Sequence, residues 1–401
     1  MRNRDNTRYN WQIKTLGEIC DVSAGNSAPQ NKEYFIDGKY PFFRTSDVGA
    51  IHLGKIDNAN VYLNEKGIKG LKLFKKGTIL LPKSGASTFL NHRVIMDIDG
   101  YVSSHLATIS TNKSIIDNIF LFYYLLEIRA QNLIQDHKYP SLNLPVIGQI
   151  QIPIPPTIEQ HRIVKILDEV FENIAKAKEK TEKNLQNAKE LFESYLQSIF
   201  SNPGKDWEEK TLADISIEFG RGKSKHRPRN DKKLYDGKYP FIQTGDIRNS
   251  DHYVKQFTQT YNDIGLAQSK LWPKGTICIT IAANIAETGI LNFDACFPDS
   301  VIGIVVNPKF TTAGFIEYLL RSFKLVIQAK GKGSAQKNIN LATFENELFP
   351  LPSLSEQKSI VKKLDALSTE TKKLEAIYKQ KLADLEELKK SVLKKAFNGE
   401  L

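Results

Sequence analysis

The chain carries the sequence DGKYPFFRTSDV at residues 37–48 and a close copy, DGKYPFIQTGDI, at residues 236–247. A second pair recurs at nearly the same interval, IPIPPTIEQHRIVKILDEVF at residues 152–171 and FPLPSLSEQKSIVKKLDALS at residues 349–368. The period of about 197 residues is far longer than the roughly 20–50 residues of a solenoid repeat. We therefore expect a globular-plus-helical unit that occurs twice, presents two similar surfaces and can read a two-part target.

The composition is that of a globular protein, since 41% of the 401 residues are hydrophobic and 25% are charged. The net charge of +11 predicts a polyanionic partner, and charge alone leaves nucleic acid, an anionic membrane and an acidic protein open. Cys20, Cys278 and Cys296 form no CxxC pair, which argues against zinc or disulfides and for a reducing compartment. The longest apolar stretch, residues 119–126, is well short of the ~20 residues that span a bilayer, so we expect a cytoplasmic protein.

Each repeat begins with mixed, turn-rich sequence and ends with a long amphipathic stretch. Prolines within residues 153–156 and 350–352 mark the change, because proline blocks backward extension of a helix. Apolar residues then recur in steps of four and three, which predicts two long helices that pair as a coiled coil, whereas packing in an ordinary bundle is the alternative. The predicted seams are Ile163, Leu167, Val170, Ile174, Ala177, Thr181, Leu185, Ala188, Phe192, Tyr195 and Ile199, and Ile360, Leu364, Leu367, Thr371, Leu374, Tyr378, Lys381, Leu385, Leu388 and Val392.

The mixed regions predict an α+β fold. Short β-like runs occur at residues 77–81 and 275–279, and each region has one convincing helix, at residues 115–132 and 312–328. Catalytic signatures are missing from the sequence: residues 222–224 resemble the tail of a P-loop, but Ile217 stands where that loop needs glycine. We also find no GxGxxG after a strand, no GxSxG and no HExxH, so we expect no catalytic residue, no metal and no cofactor bound by this chain.

Loops rich in Lys, Arg and small residues are the candidates for holding a phosphate backbone or reading base edges. The richest is residues 221–229, here called the basic loop, with five cations and a histidine in nine residues. Two equivalent positions carry different side chains, Arg44 and Gln243, as two domains that read different sequences would require. An ordinary exposed turn is the alternative for each loop. The candidate DNA-binding residues are Arg44, Lys83, Ser84, His137, Lys138, Tyr139, Arg221, Lys223, Lys225, Arg227, Arg229, Gln243, Lys330, Lys332, Gln336 and Lys337.

Four features together resemble the specificity subunits of type I restriction–modification systems. They are the tract YPFFRTSDV, the proline-rich entry IPIPP, the helix opening E-Q-x-x-I-V-x-x-L-D and the terminal KKAFNGEL. The similarity covers nearly the whole chain, twice and in the expected order. It implies two pseudo-symmetric α/β target recognition domains separated by two long antiparallel coiled-coil helices, with each domain reading one half of a split double-stranded DNA site.

The resemblance also implies a division of labour and a domain plan. Two methyltransferase subunits would use S-adenosylmethionine, and two restriction and translocase subunits would use ATP and Mg²⁺, while this chain would be non-catalytic. Residues 1–156 and 203–352 would be the recognition domains, and residues 157–202 and 353–401 the helical regions that set the spacer between half-sites. By position in the family, Glu159, Gln160, Glu356 and Gln357 would dock the methyltransferase subunits. The alternative function is a stand-alone two-domain DNA-binding regulator, and a purely structural coiled-coil adaptor is disfavoured by the basic loops.

Overall fold

The computed structural model describes residues 11–401 except 113, 135–140, 283–284, 325–326, 329–340, 342–343 and 345–346. The chain divides into two compact units. The first unit holds the residues up to Thr181 together with Gln380–Leu401, and the second unit holds Glu182–Lys379. Packing therefore cuts across the four segments predicted from the sequence, because each long helix contributes one part to each unit.

Five strands of the first unit form its main sheet, and its other strands form smaller sheets. Its strands are β1 (Gln12–Thr15), β2 (Cys20–Ala24), β3 (Tyr40–Phe43), β4 (Leu53–Ile56), β5 (Tyr62–Leu63), β6 (Ile79–Pro82), β7 (Arg93–Met96), β8 (Tyr101–Val102), β9 (Leu106–Thr111) and β10 (Gln151–Ile154). Its short helices are α1 (Leu16–Ile19), α2 (Thr45–Ile51), α3 (Asn118–Glu127) and α4 (Leu144–Gly148), with 3-10 turns at Lys32–Phe35, Ala86–Leu90 and Ala130–Asn132. The main sheet has the order β2-β9-β6-β7-β4, in which only the β4–β7 pairing is parallel.

Both faces of this sheet are covered, and the alternation along β6 shows it. Ile79 and Leu81 face a core that includes α3 and the long helices, whereas Leu80 faces a smaller core formed with Val94. Because successive side chains of a strand point to opposite faces, a continuous apolar run is what a strand buried on both sides needs.

The second unit repeats this arrangement. Its strands are β11 (Glu208–Lys210), β12 (Ser216–Arg221), β13 (Tyr235–Phe241), β14 (Tyr253–Val254), β15 (Gln259–Tyr261), β16 (Ile277–Thr280), β17 (Thr288–Leu291), β18 (Val301–Val306) and β19 (Phe349–Leu351). Its short helices are α6 (Thr244–Arg248), α7 (Asp263–Ala267) and α8 (Ala313–Ser322), with a 3-10 turn at Lys232–Leu234. The sheet order β12-β18-β16-β17-β14 matches that of the first unit strand for strand, including the parallel outer pair β14–β17. The duplication seen in the sequence is thus a duplication of topology.

The predicted strands are confirmed as β6 and β16, and the two predicted helices exist but are shorter than expected. Helix α3 starts where the Asp117 carboxylate accepts the N–H groups of Ile119 and Phe120, at 2.8 and 2.9 Å. It stops at Ile128, whose backbone is extended (φ −82°, ψ 114°). The apolar residues that follow pack as a turn on the core rather than prolonging the helix.

The long helices are α5 (Thr157–Ser201) and α9 (Leu354–Phe397). In the first unit they run antiparallel, because Arg162 donates to the Leu401 carbonyl oxygen at 2.6 Å while Lys178 pairs with Glu386 at 2.9 Å. A residue later in α5 thus contacts a residue earlier in the C-terminal segment that contains α9.

The predicted seams are right over much of their length and wrong at three apolar positions. Tyr195 is exposed, and the buried positions near the end of α5 are instead Leu196 and Phe200. This end of the helix packs on the core of the second unit's mixed region, which selects a stripe in steps of four. On α9, Leu374 and Leu388 are also exposed, by 38% and 47%, so that seam is only partly covered.

Candidate nucleic-acid interface

The basic loop leaves the end of β12 as an extended chain whose side chains alternate. Gly222 and Ser224 point inward and are buried, and a Cβ atom on Gly222 would lie 2.3 Å from the Phe297 carbonyl oxygen. The intervening cations are all exposed: Arg221, Lys223, Lys225, Arg227 and Arg229. The Gly222 N–H donates to the Val301 carbonyl oxygen of β18 at 2.9 Å, so in this extended part the exposed Arg221, Lys223 and Lys225 alternate with buried small residues.

Two of these cations are partly engaged within the chain. Arg227 donates to the carbonyl oxygens of Ser224 and His226, at 2.7 and 2.8 Å, and Arg229 pairs with Asp299 at 2.6 Å. Exposed ion pairs of this kind contribute only about 0–1 kcal/mol, so a phosphate can replace the carboxylate. Within the part of the chain that the structure describes, the side chains of Arg221, Lys223 and Lys225 make no ion pair.

A hydrogen-bonded turn holds the far end of the basic loop. The His226 ring and Asp231 are 2.9 Å apart, and the His226 N–H donates to Gln268 at 3.0 Å. The hydrogen bond from His226 lowers the pKa of Asp231 below its ordinary value, with further help from Lys233. The loop is therefore anchored at both ends by groups other than its cations.

In the first unit, Lys83 and Ser84 lie in the turn after β6. The Ser84 hydroxyl and the His105 ring are 2.9 Å apart, and Ser84 forms a β-bridge with Ser141. The Lys83 carbonyl oxygen accepts the Leu142 N–H at 2.8 Å. The structure thus brings this turn beside the residues that follow segment 135–140. The predicted DNA-binding residues His137, Lys138 and Tyr139 lie outside the described residues, as do Lys330, Lys332, Gln336 and Lys337.

Arg44 and Gln243 occupy equivalent places, each directly before a short helix. The N–H of Arg44 donates to Asp47 at 2.6 Å, and the N–H of Gln243 donates to Asp246 at 2.8 Å. The backbone is held in the same way in both units, so the two side chains differ on a common scaffold.

The predicted docking residues fall into two groups. Gln160 and Gln357 are buried, with exposures of 1% and 0%. The Gln160 amide accepts the Asp117 N–H at 2.8 Å and donates to the carbonyl oxygens of Ile115 and Pro155, at 3.1 and 2.9 Å. These glutamine side chains fasten the start of each long helix to the mixed region, and they offer no free group to another subunit.

The two glutamates remain accessible. Glu159 is held by Arg162 through two contacts of 2.7 Å, which lower its pKa, while Glu356 accepts the indole N–H of Trp207 at 3.1 Å and is exposed. The sequence did not predict that the neighbouring glutamines are buried, because an E-Q pair at the start of a helix looks the same whether its glutamine is exposed or buried.

The described residues hold no group of three or more His, Cys, Asp or Glu side chains that could bind a metal ion. The thiols are also poor nucleophiles, because burial raises the pKa of Cys20 to about 12 and raises that of Cys278 further. Among the helices that the structure describes, none combines the length and apolarity needed to cross a membrane.

A duplicated α/β unit with cationic loops and shared long helices defines a two-domain recognition protein. Residues 9–186 and 204–386 match the family model described as the type I restriction modification DNA specificity domain, and the chain belongs to that family. It is a DNA sequence-specificity subunit rather than an enzyme by itself, and the stand-alone regulator is not favoured.

Two relatives from Methanocaldococcus jannaschii are each 25% identical over 421 residues, covering 98% of this chain and 93% of the relative. They are the putative type I restriction enzyme MjaX specificity subunit and the type I restriction enzyme MjaVIII specificity subunit. Two solved structures share the fold at 20% identity. One, from work on complex assembly and conformational transition of the type I R-M system, has a TM-score of 0.78 with 98% of both chains covered. The other, the HsdS subunit from Thermoanaerobacter tengcongensis, has a TM-score of 0.64 with 99% of this chain and 100% of that chain covered.

Proposed function

We propose that the mixed region of each repeat reads one half of a bipartite double-stranded DNA site. The observation that carries this proposal is the pairing of one topology with different surface side chains: identical sheet orders in the two units, but Arg44 in one place and Gln243 in the other. A common scaffold places both surfaces in the same way, and the different side chains select different sequences. The basic loop supplies phosphate contacts in the second unit.

The chemistry is assigned to partner subunits. Two methyltransferase subunits use S-adenosylmethionine, and two restriction and translocase subunits use ATP and Mg²⁺. This chain determines the DNA sequence at which the complex acts in the cytoplasm. Support comes from the matched family of type I specificity domains and from relatives named as specificity subunits of type I restriction enzymes.

The long helices are the proposed docking surfaces and the spacer. Support comes from large apolar side chains left in solvent on them: Ile158 beside Glu159 is 86% exposed, and Leu374 and Ile377 on α9 are 38% and 59% exposed. Apolar side chains grouped on a surface mark protein interfaces, whereas single ones are normal. We expect Leu374→Ser with Ile377→Ser to weaken binding of the methyltransferase subunit at unchanged thermal stability. The matched control is Lys372→Ser, since Lys372 is exposed on the same helix and pairs, among the residues that the structure describes, with Asp251.

The deciding experiment is expression of the chain with its methyltransferase subunit in a methylation-free strain, followed by single-molecule methylome sequencing. The expected result is one two-part motif with a fixed gap. A second arm incubates the rigorously pure chain with DNA, labelled S-adenosylmethionine, ATP and Mg²⁺, and no methyl transfer or cleavage is expected. A contiguous motif, or activity of the pure chain, would contradict the proposal.

A further inference from the structure

Each unit contains an open recess at the same place in its fold, against the strand that precedes Arg44 or Gln243. The recess of the first unit has a volume of about 330 Å³ and is lined by Phe35, Arg44, Asn60, Val61 and Tyr62. The recess of the second unit has a volume of about 180 Å³ and is lined by Tyr235, Asp236, Phe257, Thr258, Gln259 and Thr260.

Strand register places the two recesses at corresponding strand pairs of the two units. In the first unit Pro41 lies opposite Tyr62, and in the second unit Pro240 lies opposite Thr260. Both Tyr62 and Thr260 line their recess. The next position along is Val61 in the first unit, whose carbonyl oxygen accepts the Phe42 N–H, and Gln259 in the second, which pairs with Phe241. The lining therefore changes at fixed backbone positions.

The first recess holds the side chain of Arg44, for which the described residues provide no hydrogen-bond partner. The Arg44 guanidinium carbon lies 5.7 Å from the Phe35 ring centre and 5.6 Å from that of Phe42. Its Nε atom is buried and makes no hydrogen bond. Cation–π contacts of this kind orient the planar guanidinium without using its donors, so the donors of its two terminal nitrogens stay unused.

A buried carboxylate holds the recess in shape. Asp47 is 3% exposed and accepts the Arg44 N–H at 2.6 Å, the Asn60 N–H at 3.0 Å and the Asn60 side-chain amide at 2.7 Å. One side chain thus ties together the backbone before α2 and the opposite wall. The position of Arg44 is set by the fold, as a reading residue requires.

The second recess is lined by Gln259, whose amide is paired with Gln243 beside the recess. Gln243 donates from its Nε2 to the Gln259 Oε1 at 2.5 Å, which fixes both side chains and leaves an acceptor on Gln243 and donors on Gln259. The recess also adjoins the basic loop, because Tyr235, which lines it, donates its hydroxyl to the Arg229 carbonyl oxygen at 2.5 Å. A DNA backbone held by the basic loop would therefore run beside this recess.

We propose that the two recesses are base-reading sites of different specificity: Arg44 reads a guanine edge in one half-site, and the Gln243–Gln259 pair reads an adenine edge in the other. Arginine matches the O6 and N7 acceptors of guanine with two parallel donors, whereas a glutamine amide matches N6 and N7 of adenine. This inference rests on the proposed reading of a bipartite site.

The test exchanges the two residues in the chain co-expressed with its methyltransferase subunit, with methylome sequencing as the readout. Arg44→Gln should change or relax one base position of a single half-site, with roughly 5- to 150-fold lower preference for guanine there. Gln243→Arg should alter one position of the other half-site only. Folding is expected to persist, because glutamine already occupies this position in the second unit.

Two further variants separate base reading from charge. Arg44→Lys keeps the charge but loses the planar fork, so specificity at that position should still relax if the side chain reads a base. Lys69→Gln removes an exposed charge of the first unit that does not line the recess and should leave the motif unchanged. The inference is overturned if Arg44→Gln and Gln243→Arg weaken methylation uniformly with every base of the motif intact. In that case the wild-type chain would still show its two-part motif, whereas failure of the proposed function would remove the motif from the wild type itself.

Discussion

The buried amide of Gln357 gives the sharpest prediction about this fold. Its Oε1 accepts the Thr311 hydroxyl at 2.9 Å and the Thr312 N–H at 3.3 Å, and its Nε2 donates to the carbonyl oxygens of Phe310 and Pro352, each at 2.9 Å. The side chain is 0% exposed, so water cannot replace it. Gln357→Leu keeps the volume nearly constant and removes four hydrogen bonds at once, while the partner groups stay buried.

At about 1 kcal/mol for each hydrogen bond, the expected loss in the free energy of unfolding is roughly 4 kcal/mol. A unit of about 200 residues shifts its Tm by roughly 2–4 °C per kcal/mol, so the transition of the second unit should fall by about 10 °C. Differential scanning calorimetry should report this loss, and Gln160→Leu should lower the Tm in the same way, since its amide makes three such bonds.

The control is Gln380→Leu, an exposed glutamine on the part of α9 that belongs to the first unit; among the described residues its side chain bonds to Asp384, and its effect on either unit should stay within about 0.5 kcal/mol. The reasoning is refuted if Gln357→Leu melts like the wild type and yet fails to bind the methyltransferase subunit. That result would make Gln357 a docking residue instead of an internal anchor.

Three further predictions follow from the helices and charges. Inserting four residues near Leu185 lengthens α5 by about 6 Å while nearly keeping its facing, so the methylome gap should grow by roughly one or two base pairs, and an unchanged gap would show that the helix does not set it. Alanine at the three unpaired cations of the basic loop should lower the slope of log affinity against log salt by up to about 2.7, whereas a matched triple change on α9 at Lys358, Lys362 and Lys363 should not. The hydrogen bond from Lys178 lowers the pKa of Glu386, so this pair stabilises the fold above the ordinary glutamate pKa, and its contribution is lost as pH falls through the lowered value. The free energy of unfolding in urea, measured between about pH 3 and 7, should therefore depend less on pH in Glu386→Gln than in the wild type. Identical pH profiles of the two proteins would exclude this linkage.

Much of the architecture follows from local signals. The repeat of residues 37–48 at 236–247 predicts two equal units, and steps of three and four after the prolines predict two long helices. Helical periodicity and proline breaks involve only a few neighbouring residues, so they can be recognised in the sequence without knowing what each segment packs against. The basic loop is equally legible, because charge density and the absence of large apolar residues place it on the surface.

Tertiary structure decided which of these residues face inward and which face solvent. Gln160 and Gln357 looked like helix-start polar residues, and only the docking of each helix on its mixed region shows that their amides are buried. The recesses could not be predicted from the sequence either, since strand register is what places Val61 and Gln259 at equivalent positions. Register and burial depend on partners far away in the chain, and single-sequence patterns carry no record of those partners. The sequence alone therefore determined the duplication, the helices and the charged loop, whereas the strand order, the anchoring glutamines and the paired recesses were decided by long-range packing.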